Sequence, residues 1–226
     1  MKKTGSFTEE QKGYFEGVSY RGPGDPVVEA YAQPKVEFVR RHVSITRETQ
    51  FLDVGCGNGI FTVPFAKLSD NVLGIDNSEN LLKANPHPNV RLGDAMRLDL
   101  PDSSFDVVFE ANILHHIADP EAAIREMVRV SRSHVILLEP NRYNPLMALF
   151  GLLVREERGL LKSSRGALET LLKRCGVRVS AALVTGMITQ NATPEFLLPV
   201  LRLFDRQIWW GEYIILIAEK TAARTS

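Results

Sequence analysis

"FLDVGCGNG", residues 51–59, decides the fold. Apolar residues flank an acid, Asp53, and glycines then stand at 55, 57 and 59. The first half reads as a short buried strand that stops at turn residues. Glycine at every second position lets the chain turn tightly and lays bare backbone against a ligand as a helix begins. Such a loop opens a βα unit of an open α/β sheet, whose ligands bind outside the carboxyl ends of the strands. A dinucleotide fingerprint in this frame needs glycines at 55, 57 and 60, and position 60 is Ile60, which argues against a nicotinamide cofactor.

Outward from the loop, short apolar runs alternate with amphipathic stretches. Strands are predicted over 50–54, 71–75, 89–92, 105–109, 133–139, 177–184 and 212–220. Helices are predicted over 26–42, 59–68, 78–84, 119–131, 163–175 and 194–204. Strands separated by helices imply right-handed crossovers and a mostly parallel sheet covered on both faces. The expected fold is therefore α/β, a doubly wound sheet of about seven strands whose last two depart from the parallel pattern.

The chain has 226 residues, 44% of them apolar, which suits one domain with a sizeable core. Lysine plus arginine equals aspartate plus glutamate, 27 against 27, so no sustained positive field awaits a nucleic acid or an anionic membrane. Two cysteines, Cys56 and Cys175, are too few for a disulfide framework or a repeated metal motif, and a cytoplasmic setting is expected. The start, "MKKTGSFTEE", is not followed by the apolar run of a secretory signal. No apolar stretch approaches the ~20 residues of a membrane span.

A second acid, Asp76, follows the next strand, where a βαβ unit sets a carboxylate against the two hydroxyls of a ribose. Two further strands end at Gly93-Asp94-Ala95 and at Phe109, the latter before Glu110 and Asn112. Taken together, "LDVGCGNG", "GIDNSENLL", "GDAMRLDLPDSSFDVVFEANILHHI" and "VILLEPN" resemble the successive motifs of the class I S-adenosylmethionine-dependent methyltransferases, especially their type-11-like small-molecule branch. The match runs in order over roughly residues 50 to 140, and agreement across motifs outweighs any single one.

The resemblance implies a Rossmann-like sheet with an antiparallel last strand, S-adenosylmethionine as cofactor and S-adenosylhomocysteine as product. It assigns Asp53, Gly55, Cys56, Gly57, Asn58 and Gly59 to the methionine part of the cofactor, and Asp76 to the ribose with Asn77 beside the adenine. Asp94 falls on the acid for the adenine amine, Ala95 and Met96 on contacts to the ring, and Glu110 and Ala111 near the sulfonium. For Asp53 a loop-fastening role competes with ligand binding, and for Asp94 a turn cap does.

A sulfonium already carries an activated methyl group, so alignment of the acceptor supplies much of the catalysis. Where a proton must leave, His115 and His116 are the candidate bases, expected on different sides of the chain. The rest of the chain divides into an amino-terminal arm or lid, 1–44, a cofactor core, 45–140, and a substrate-side portion, 141–226. Candidate acceptor contacts are Tyr14, Tyr20 and Arg21 in the arm, Asn112 after the fourth strand, and Asn141 and Tyr143 after the fifth. The run "LMALFGLLV", 146–154, reads first as a helix docked on the sheet, with a pocket cover or a dimer contact as alternatives.

Several subclasses are argued down. Methylation of DNA-base amines needs an Asn or Asp, two prolines and an aromatic after the fourth strand, where this chain has "EANI". Neither cysteine stands where a covalent base adduct would need it, and no acid cluster suggests a metal-dependent transfer. A small-molecule methyl acceptor is the expected partner; monomer and homodimer are both open. The alternatives are a catalytically silent cofactor-binding module of the same fold and an aminopropyl transferase.

Overall fold

The computed structural model describes residues 20–220. Its sheet has seven strands: β1 Gln50–Val54, β2 Asn71–Asp76, β3 Val90–Leu92, β4 Phe105–Ala111, β5 Ser131–Pro140, β6 Val177–Thr185 and β7 Tyr213–Lys220. They lie in the order β3-β2-β1-β4-β5-β7-β6. The first five pair in parallel, and β7 runs antiparallel to both β5 and β6. The expected doubly wound sheet with an antiparallel last strand is present.

Alternation along the central strands builds a core on each face. Ile136 and Leu138 of β5, with Ile215 and Ile217 of β7, pack on one side with Tyr31, Phe61 and Phe65. Leu137 and Leu216 pack on the other with Ile124, Met127, Leu168 and Leu172. Strands buried on both faces read as continuous apolar runs, which is how "VILLE" and "YIILIA" appear in the sequence.

The covering helices are α1 Pro26–His42, α2 Thr62–Ala66, α3 Glu79–Ala84, α4 Pro120–Val130, α5 Pro145–Leu153, α6 Arg165–Arg174 and α7 Leu198–Leu201. Their starts follow local chemistry: the carboxylates of Asp25 and Asp119 and the hydroxyls of Ser78 and Ser164 accept backbone N–H groups of the first turns. Helix α1 spans the predicted 26–42.

Three predicted helices come out differently. The one over 59–68 shrinks to α2, because Gly59 still has φ of 93° and belongs to the turn. The stretch 194–204 breaks into 3-10 turns, Glu195–Leu197 and Arg202–Phe204, around α7, with Pro199 inside that short helix. The run at 146–154 does form α5, but it is not docked flat on the sheet. Within α5 only Met147 and Gly151 are buried, while Leu146, Leu149, Phe150, Leu152 and Leu153 are exposed. A 3-10 segment, Arg155–Lys162, follows and packs against it.

Candidate functional site

The loop after β1 is built around its glycines. Gly55 has φ of 73°, and a Cβ there would meet Ile113 Cγ2 at 2.3 Å. The Gly55 N–H donates to Ile75 O at 2.7 Å and the Gly57 N–H to Asp76 Oδ2 at 2.8 Å, so β2 holds the loop. Gly59 does not reach the cavity; it lets the chain pass Asn85, whose Oδ1 would lie 2.5 Å from a Cβ.

Around this loop lies a cavity of about 770 Å³, within the range of small-molecule sites. Asp53, Gly55, Cys56, Gly57 and Asn58 line one end with Asp76, Asn77, Asp94, Ala95 and Met96. Ala111 and Asn112 line it nearer the middle. The sequence-predicted cofactor set is thus brought together with two departures, Gly59 and Glu110. Glu110 is fully buried behind the wall, where its carboxylate accepts from the backbone of Ile113 and Leu138. Burial and the neighbouring charge of Glu139 push the Glu110 carboxyl well above the usual carboxylate range.

Both local alternatives for the acids are also realised. Thr62 Oγ1 donates to Asp53 Oδ2 at 2.6 Å, and Asp94 Oδ1 accepts from the Met96 N–H at 2.8 Å. Asp76 accepts through each oxygen, from Gly57 and from Ser78. A carboxylate offers about four lone-pair positions, so these bonds leave room for a ligand. Burial pushes Asp53 up to about 7, with the Thr62 hydrogen bond opposing and Asp76 adding to the rise. Burial also raises Asp76 and drives the Cys56 thiol far up, so Cys56 is an inert wall residue.

The rest of the lining is mostly apolar, with Phe61, Leu146, Met147, Phe150, Leu160, Leu197 and Leu201, and includes the polar Thr189, Gln190, Asn191, Thr193 and Glu212. His115 and His116 lie between the two ends. They do not diverge as expected; both follow Ile113 in one 3-10 turn, Leu114–His116, with rings 3.9 Å apart and both facing Glu157. His115 Nδ1 is 2.7 Å from Glu139 Oε2, and its Nε2 is 3.5 Å from Glu157. Burial pushes His115 down, but Glu139 and Glu157 outweigh that and hold it at about 9. Burial and the neighbouring His115 push His116 well below the imidazole range. Near neutral pH one ring is therefore a cation and the other is free of a second proton.

Several acceptor candidates are not where the sequence suggested. Asn141 is buried outside the cavity, its side chain donating to the carbonyls of Trp209 and Gly211. Tyr143 is exposed beneath Arg142. Arg21 pairs with Asp25, and its carbonyl accepts from Asn58, which fastens the arm to the glycine loop. Tyr20 does line the cavity, and Tyr14 lies outside the described residues.

The sequence reading passed over Glu139, Glu157, Glu212, Lys35 and Tyr31. The available signal was an acid or a base inside an otherwise apolar run, as in "VILLEP" and "GEYIILIA".

Residues 52–138 match a known family described as a methyltransferase domain. Residues 52–138 are thus a methyltransferase domain by sequence. The demethylmenaquinone methyltransferase of Corynebacterium efficiens is 33% identical to it over 119 residues, 52% of each chain. The chain thus spans about half the length of that curated relative. The methyltransferase fold is also shared with a solved Thermotoga maritima protein described as a possible histamine N-methyltransferase, with a TM-score of 0.63, 19% identity and coverage of 96% and 97%. Magnesium protoporphyrin IX methyltransferase from Synechocystis, solved with S-adenosylhomocysteine, has a TM-score of 0.57, 18% identity and coverage of 96% and 95%. Among the described residues no helix is long and apolar enough to cross a membrane.

Proposed function

We propose that the protein transfers a methyl group from S-adenosylmethionine to a small, largely apolar acceptor. One observation carries the reading: a single cavity joins the glycine loop and its acids to an apolar chamber walled by α5 and the 194–204 segment. Residues 45–140 hold the cofactor in this reading, while the arm and residues 141–226 shape the acceptor side. The relative's name, demethylmenaquinone methyltransferase, favours a quinone-derived or similarly flat apolar acceptor. Two free cysteines suit a cytoplasmic setting.

The cofactor, when bound, supplies a methyl group already activated on a sulfonium. The Asp53 carboxylate would meet its ammonium, backbone of the 55–58 loop would hold its methionine end, Asp76 would accept from the ribose hydroxyls, and Asp94 with Met96 would hold the adenine. The apolar chamber excludes water and orients the acceptor, which contributes through alignment. Where the acceptor must lose a proton, His116 takes it, since His115 already holds one between Glu139 and Glu157.

Calorimetric titration tests the reading. S-adenosylhomocysteine is expected to bind the wild type and NAD to give no heat. Asp76→Ala, checked for an intact thermal transition, should weaken S-adenosylhomocysteine by about 1.5–3 kcal/mol through loss of the ribose bonds. Absence of S-adenosylhomocysteine binding by folded wild type sinks the reading. Methyl transfer from the cofactor to demethylmenaquinone then separates an enzyme from a silent binding module.

A further inference from the structure

The cavity wall contains a buried carboxylate oxygen with no hydrogen-bond donor among the described residues. Glu212 directly precedes β7 and is 3% exposed, yet among the described residues nothing donates to its Oε2, and its side chain forms no ion pair. Its backbone is pinned: its N–H donates to Gly186 O at 2.9 Å, and its carbonyl accepts from the Asn141 N–H at 2.7 Å. Gly211 beside it has no room for a side chain, since a Cβ would lie 2.7 Å from Thr185 N. A buried carboxylate oxygen held this firmly without a donor is costly, and native structures rarely keep one without a use.

The surroundings select the partner. Lys35, 2% exposed, comes from the apolar face of α1; its Nζ donates to Tyr31 O and lies 3.9 Å and 4.8 Å from the ring centres of Tyr31 and Tyr213. Its charge acts on Glu212 through space, with Asp205 drawing on the same lysine. Asn112, also in the cavity wall, donates to the Tyr31 hydroxyl at 2.8 Å. A ligand ammonium would meet the field of Lys35 wherever that amine is charged, although burial lowers it to about 7, and a ligand carboxylate would meet that of Glu212. A neutral hydroxyl on a flat apolar body meets neither penalty and supplies the missing donor.

We infer that Glu212 is the hydrogen-bond acceptor for a hydroxyl of the methyl acceptor, a specificity-determining contact that restricts the cavity to phenol-like or enol-like molecules. The inference rests on the acceptor reading of this cavity. Lys35, backed by Asp205, helps keep Glu212 ionised, because burial pushes Glu212 up to about 7 and the lysine opposes the rise. Tyr31 and Tyr213 are the other titratable groups around this lysine, and burial keeps both of them neutral.

The probes are 2-naphthol and naphthalene, which differ by one hydroxyl, titrated into the full chain with and without S-adenosylhomocysteine. Wild type is expected to favour 2-naphthol by about tenfold or more. That preference should vanish in Glu212→Leu, with naphthalene affinity kept. It should also fade as pH drops from 8 to 6, and Lys35→Met should move the midpoint upward. A preference that is absent from the wild type, or that survives Glu212→Leu, overturns the proposal. So does a fall in both affinities together with a lower Tm, which marks Glu212 as a structural partner of Lys35. S-adenosylhomocysteine binding measured alongside reports separately on the methyltransferase reading.

Discussion

Under the proposed function, in which Asp53 faces the ammonium of the cofactor, this residue links burial to cofactor affinity. Its carboxyl, raised to about 7 from an ordinary value near 3.8, is partly protonated in the empty protein at neutral pH. Facing an ammonium favours the ionised form, so binding below the raised value must first release a proton. S-adenosylhomocysteine affinity should therefore fall as pH drops through 7, approaching about tenfold per pH unit on the acid side. Asp53→Asn should remove that slope along with much of the affinity. A flat profile between pH 5.5 and 8 in the wild type would count against the assignment. In folding the sign is the same as for any raised carboxyl: the buried ionised form lowers stability as pH rises through 4 to 7, and the ligand restores it. Gly55 shows the backbone counterpart. At φ of 73° and with Ile113 Cγ2 2.3 Å from where a Cβ would stand, Gly55→Ala is both strained and crowded. It should cost about 1–3 kcal/mol in urea unfolding and lose cofactor binding, whereas Gly166→Ala, in open space on α6, should cost nothing measurable.

At the scale of elements, the parts that alternate or cap are those the sequence made legible. The strands came out close to their predicted bounds, because double-sided burial leaves an unbroken apolar run. The glycine-loop end of the cavity was legible for a related reason: its residues fall on loops at strand ends within motifs that stand in order along the chain. The acceptor end was not. Glu157 and Glu212 lie on distant segments and line one cavity only in the folded chain, and Asn141 and Tyr143 reach strand ends without facing it. Helix α5 fails for the opposite reason. An apolar stretch signals burial only if something covers it, and here Leu152 is 63% and Leu153 75% exposed. Replacing both with serine should leave unfolding free energy within about 0.5 kcal/mol per site. Met147→Ala, on the buried side and in the cavity wall, should cost about 2–5 kcal/mol. Equal losses from all three sites in urea titrations would show that α5 is covered in solution.

For the whole molecule, sheet order departs from chain order where β4 pairs with β1 and where β7 pairs with β5, and stability should concentrate at the second. Strand β7 is last in sequence but lies between β5 and β6, pairing with β5 from His134 to Pro140 and with β6 from Val177 to Thr185. Among the described residues no other strand joins β6 to the sheet. Ile214, Ile215, Leu216, Ile217 and Ala218 are all at most 1% exposed, and they feed both cores alternately. At roughly 1.5–3 kcal/mol for each large side chain buried, β7 contributes on the order of 10 kcal/mol, comparable to the whole net stability of an ordinary domain. The same strand anchors Tyr213 beside Tyr31, and Glu212 in the cavity wall directly precedes it, so the proposed acceptor chamber depends on it. A chain ending before residue 205 should show no cooperative unfolding by far-UV circular dichroism and no S-adenosylhomocysteine binding. Supplying residues 205–226 as a separate peptide should recover part of both, since the missing strand pairs on two sides. A truncated chain that keeps a sharp transition would mean that the five parallel strands are a self-sufficient unit and that β7 serves the acceptor chamber alone.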